Sequence, residues 1–128
     1  MSETFRTPLG RVRGHGSAKS GTGHFIGERV SSVLLAFLAP WFVISAAMHL
    51  PFGYEGARAW VADPWVAAPL AVFVLVSLHH MWLGLAVVVE DYIHRPVTKM
   101  ALLLLNLSVC IALAAASLFA ILRVSLGA

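Results

Sequence analysis

The chain has 128 residues, 59% of them hydrophobic and only 12% charged, with a mean hydropathy of +0.84. A soluble domain carries roughly twice that charge fraction, and one this small exposes too much surface to hide so much apolar area from water. A water-soluble enzyme is therefore excluded. Five of the nine Lys and Arg precede residue 30, so the net charge of +3 describes a basic tail, not a nucleic-acid-binding face.

In chain order, residues 1–29 come first, a polar tail rich in Gly, Ser and Thr that carries Arg6, Arg11, Arg13, Lys19 and Arg29. Three runs without Asp, Glu, Lys or Arg follow, at 30–48, 64–89 and 100–122, of 19, 26 and 23 residues. A helix rises about 1.5 Å per residue and the hydrocarbon core is about 30 Å thick, so about 20 residues cross it. In lipid the backbone must satisfy its own hydrogen bonds, and the alternation of a membrane barrel is missing, so the runs read as helices. The expected fold class is an all-α membrane protein with three transmembrane helices, at about 30–49, 64–92 and 98–123. The chain divides into a tail, 1–29, and a membrane part, 30–125. The leader and first run are too long for a cleaved secretory signal, although the Arg-rich, acid-poor leader has the composition of a transit peptide.

Counting basic residues orients the spans. The tail and the second connection (Arg95, Lys99) carry seven of the nine, against Arg58 and Arg123 on the other side. This asymmetry puts the N-terminus in the cytoplasm, or the matrix, and places Tyr54, Trp60 and Trp65 at the outer headgroup layer. Pro40 should bend the first helix. Ser108, Ala112, Ala116 and Ala120 form a small-residue stripe on the third, and Gly23 and Gly27 a GxxxG at the foot of the first; both read as helix packing. The single cysteine, Cys110, makes neither an internal disulfide nor an Fe–S ligand set nor a CxxCH haem attachment.

The polar residues inside the spans carry the chemistry. His79 and His80 lie within the second run, where ionisable groups are costly and mark functional sites; the structural alternative is a neutral imidazole bonded to a neighbouring helix. Gly84, Val87 and Asp91 share the face of His80, which offers an iron ligand beside room for a flat ring. His79 shares a face with Leu83, Ala86 and Glu90, where no such gap is expected. At the end of this run Glu90 and Asp91 oppose the helix dipole, and Tyr92 follows them. They read either as solvated carboxylates beside an interfacial tyrosine or as a polar pocket in which a phenol donates to a quinone carbonyl. Asn106 reads as an interhelical hydrogen bond. His24 and His94 are open to a proton-transfer role, and His49 reads as interfacial.

Residues 80–94, His-Met-Trp-Leu-Gly-Leu-Ala-Val-Val-Val-Glu-Asp-Tyr-Ile-His, resemble the second helix of the hydrophobic membrane anchor of succinate dehydrogenase, respiratory complex II. Residues 16–32 resemble the entry to that anchor's first helix, especially in its alphaproteobacterial form. The resemblance implies that His80 is one axial ligand of a b haem whose second ligand comes from the companion cytochrome b anchor of the same complex, with Arg29 near the propionates. It implies that Tyr92 and Asp91 belong to the ubiquinone pocket. It further implies a heteromeric helix bundle with iron–sulfur and flavoprotein subunits, in a bacterial inner membrane or alternatively a mitochondrial one. Nothing in the chain could oxidise succinate alone, since it has no dinucleotide fingerprint and no cluster ligand set. A b-haem anchor of another quinone oxidoreductase, such as a fumarate reductase or formate dehydrogenase, and a non-redox scaffold or small transporter are the alternatives.

Overall fold

The computed structural model describes residues 7, 9, 21–49, 51 and 53–127. Arg6, Arg11, Arg13 and Lys19 lie outside them, as does most of the tail. The described residues form four helices: α1 (Gly21–His49), α2 (Gly53–Ala62), α3 (Pro64–Tyr92) and α4 (Pro96–Ser125). The three long helices have 29, 29 and 30 residues and are apolar enough to cross a membrane. At about 1.5 Å per residue each is more than long enough.

The ends of α3 and α4 follow from local chemistry. Asp63 caps α3 by accepting from Trp65 N at 2.9 Å, and Pro64 occupies the first turn, where its missing N–H costs nothing. At the other end Ile93 N donates to Val89 O, and Lys99 Nζ donates to the Glu90 carbonyl at 2.8 Å. A lysine on these carbonyls also offsets the helix dipole beside Glu90 and Asp91. Pro96 disfavours helical geometry in the residue before it, so the connection 93–95 stays extended and α4 begins afresh.

Two features differ from the expectation. Helix α1 begins at Gly21, not near 30, because Glu28 and Arg29 end the apolar run without ending the backbone hydrogen bonding. The connection between the first two spans also carries a short helix: Gly53, at φ 72°, turns the chain into α2. Trp60 is not exposed as Tyr54 and Trp65 are, at 75% and 88%. It is buried against α1, donating Nε1 to Ser45 Oγ at 2.8 Å and stacking on His49. A buried indole must find such a partner for its N–H.

Helix α3 is the centre of the arrangement. It packs on α1 along one side and on α4 along another, while no Cα of α1 comes within 8 Å of one in α4; α2 contacts all three. Near α2, Ala67, Leu70 and Ile121 form a small core joined by Phe42 and Phe73, whose rings stack at 4.7 Å. Towards the other end, Gly27 brings α1 close to α3, since a Cβ there would stand 3.0 Å from Leu83 Cδ1 and 3.6 Å from His79 Cε1. Gly23 has no such neighbour, so only half of the GxxxG works as a contact within this chain. The α3–α4 seam uses Cys110 and Ile121, both buried, and Asn106, which donates Nδ2 to the Trp82 carbonyl at 3.0 Å. The small-residue stripe of Ser108, Ala112, Ala116 and Ala120 lies elsewhere on α4 and is exposed throughout.

Candidate haem and quinone sites

His80 sits mid-way along α3 and is part-buried. Its Nδ1 lies 2.9 Å from the Oγ of Ser31, a serine of α1 that is only 4% exposed. Ser31 Oγ also reaches the carbonyl oxygens of Gly27 at 2.7 Å and Glu28 at 3.1 Å, on the preceding turn of its own helix. One turn beyond His80, Gly84 faces open space, for a Cβ there would meet nothing within 4 Å. Gly27 and Gly84 therefore do different things: Gly27 lets two helices approach, and Gly84 leaves a face of α3 bare.

His79 points differently. Its ring packs against Trp82 (centroids 5.8 Å) and above Gly27, and it makes no hydrogen bond among the described residues. A shallow groove of about 310 Å³ runs between α1 and α3 beside His79, lined otherwise by Gly27, Ser31 and four aliphatic side chains. No group of three or more His, Cys, Asp or Glu gathers among the described residues. An iron ligated by this chain would draw on isolated histidines.

Asp91 and Tyr92 close α3, both exposed, Tyr92 by 77%. Asp91 lies eleven residues from His80, about 16 Å along the axis. Arg29 is exposed and stacks its guanidinium over Phe25 at 5.2 Å. It is two residues from Ser31, so helix phase turns it about 160° away from the side that meets α3. The structure thus brings Ser31 to His80 but not Arg29. His24 stands beside Trp82 (6.3 Å) at a groove of about 530 Å³ between α3 and α4 that Glu90 and Lys99 also line. His94 is exposed in the connection after α3. Nothing in the sequence singles out Ser31; its trace there is only a hydroxyl inside an apolar stretch.

The sequence pattern of the succinate dehydrogenase/fumarate reductase transmembrane subunit matches residues 3–119. The chain belongs to this family. It is 33% identical over 122 residues to the succinate dehydrogenase hydrophobic membrane anchor subunit of Paracoccus denitrificans, covering 95% of this chain and 94% of that one. The subunits of the same name from Rickettsia conorii and Rickettsia bellii are 29% and 30% identical, over 87% and 73% of this chain and 89% and 74% of theirs. No solved structure matches. Members of this family are subunits of an enzyme complex and are not catalytic alone. With three membrane-crossing helices and relatives named as bacterial membrane anchors, the chain is a multi-pass protein of the bacterial inner membrane.

Proposed function

We propose that the chain is the membrane anchor of a succinate:ubiquinone oxidoreductase, that it supplies one axial ligand of a shared b haem, and that it lines part of the quinone site. The observation that carries the haem assignment is the hydrogen bond between His80 and Ser31. Metal-ligating histidines almost always engage their other ring nitrogen with a hydrogen-bond partner, and of the two adjacent histidines His80 has one. The residues fit the group: His80 offers a nitrogen ligand, and bare Gly84 leaves room beside it for a flat ring. A haem held there would carry single electrons within the membrane. The second ligand belongs to the companion cytochrome b anchor, and the exposed small-residue stripe of α4 gives a partner helix a surface for close packing.

The N-terminus faces the cytoplasm by the basic-residue asymmetry, so Tyr92 and Asp91 stand at the cytoplasmic surface, where flavoprotein and iron–sulfur subunits dock. There the Tyr92 hydroxyl donates to a quinone oxygen, and Asp91 holds a neighbouring cation or passes a proton. Arg29 faces away from α3, so its contact with a propionate rests on the family resemblance alone. The family also includes fumarate reductases, but the relatives named above are anchors of succinate dehydrogenase.

Gly84→Leu tests the haem site. The added side chain starts in space that this chain leaves open, so the chain itself should fold. It fills the room the ring needs, so haem per complex should fall by about tenfold or more, by analogy with loss of metal-site support. A full haem complement with an unchanged reduced-minus-oxidised spectrum would remove Gly84 from the site.

A further inference from the structure

The hydrogen bonds around Ser31 carry a statement about protons. A serine hydroxyl has one proton and two acceptor lone pairs, and a neutral imidazole has one N–H. Ser31 Oγ stands 2.7 Å from the Gly27 carbonyl oxygen, a distance at which two oxygens repel unless a proton lies between them. The carbonyl has no proton to give, so Ser31 Oγ–H donates to it, the back-bonding that serine commonly adopts in helices. With its proton committed, Oγ can only accept from His80, 2.9 Å away. His80 Nδ1 is therefore the protonated nitrogen. The reverse arrangement, with Oγ–H donating to Nδ1, would make one hydrogen bond in place of two and leave the 2.7 Å oxygen pair unbridged.

We infer that Ser31 is a positioning residue that fixes His80 as its Nδ1–H tautomer and so reserves the Nε2 lone pair for iron. The inference rests on the reading of His80 as a haem ligand. Nε2 has no hydrogen-bond partner among the described residues, and no polar side-chain atom sealed inside the chain lacks one, so Nε2 is open to the outside of the chain. Ser31 is itself buried and backed by its own helix, which anchors the imidazole at the α1–α3 crossing. A ligand that donates its second N–H is also more basic, which stabilises ferric over ferrous iron. Ser31 therefore orients the ring and holds the haem potential down.

The test uses the complete complex, coexpressed with its partner subunits, carrying Ser31→Ala, Ser31→Thr or His80→Ala. Haem per complex, the midpoint potential and the g-values of the ferric low-spin EPR signal are read in each. Ser31→Ala deletes the hydroxyl, which accepts from His80 and donates to the Gly27 carbonyl. It should weaken haem retention about tenfold, shift the g-values, and change the ferric/ferrous equilibrium about threefold in favour of ferrous, a positive shift of about 30 mV at about 59 mV per tenfold. Ser31→Thr keeps the hydroxyl and should restore wild-type potential and g-values. Wild-type potential and g-values in Ser31→Ala, or an equal shift in Ser31→Thr, would overturn the proposal. If either variant fails to assemble, Ser31→Cys, whose sulfur is a weak acceptor, should give a potential above that of the wild type; a wild-type value there is again contrary. His80→Ala separates the two claims. Loss of its wild-type EPR signal alongside a silent Ser31→Ala defeats only the role of Ser31, whereas an unaltered signal in His80→Ala defeats the ligand assignment and the inference with it.

Discussion

Replacing His80 with alanine is expected to abolish the low-spin haem spectrum of the assembled complex, while His79→Ala leaves it in place. The two side chains are adjacent in sequence and about 100° apart on α3, so the pair is an internal control. His80 is held by Ser31 and lies one turn from the bare face at Gly84. His79 leans on Trp82 above the close contact at Gly27. Losing an outer-shell partner of a metal ligand typically costs about 10- to 100-fold in affinity, so losing the ligand itself should cost more than about 100-fold. His79→Ala removes packing at the α1–α3 crossing and should lower stability modestly, with less than about a tenfold effect on haem. A nearby group or water could take the empty axial position in His80→Ala, so the ferric EPR signal, which reports both ligands, is the measurement to make. If His79→Ala abolishes the signal and His80→Ala preserves it, the ligand is His79.

The second large effect is expected at Tyr92. Tyr92→Phe should keep succinate oxidation with an artificial acceptor that takes electrons from the soluble subunits, and lose about tenfold or more of ubiquinone reduction. A hydroxyl aimed at an oxygen that gains negative charge during reduction favours the transition state over the ground state. Tyr92 is 77% exposed in the last turn of α3, so removing its oxygen should change the stability of this chain by no more than about 0.5 kcal/mol. Asp91→Asn should also slow quinone reduction, with more disturbance of the helix end. Steady-state rates with the two acceptors, measured on the same preparation, separate the effects. Wild-type ubiquinone reduction with unchanged apparent affinity in Tyr92→Phe would return Tyr92 to the role of an interfacial anchor.

What can be read from the sequence follows from which forces leave a one-dimensional trace. Lipid excludes charge, so three charge-free runs reveal three helices, and the pairing of Asp63 with Pro64 marks where α3 begins. Charge does not break a helix, however, which is why α1 extends back to Gly21 through Glu28 and Arg29. Helix α2 is hidden because Pro51 and Gly53 give its start the look of a turn. The burial of Trp60 is not legible in the sequence, because an exposed tryptophan and one bonded to Ser45 have the same local surroundings; only the fold brings residues 15 apart into contact. His80 and Gly84 can be picked out by helical spacing on one element. Ser31 cannot, since its contact with His80 spans 49 residues and two helices. The two glycines make the same point. Gly27 and Gly84 are alike as letters, and what separates them is whether Leu83 stands over the missing Cβ.

The most direct test of the account is to purify the chain in mild detergent from cells that express the whole complex, identify its copurifying subunits and record a reduced-minus-oxidised spectrum. The account predicts a flavoprotein, an iron–sulfur protein and a second hydrophobic anchor in equal amounts, with a b-type haem band that disappears when the second anchor is omitted from coexpression. A purified complex of these subunits without haem, or a chain recovered without them, would contradict it.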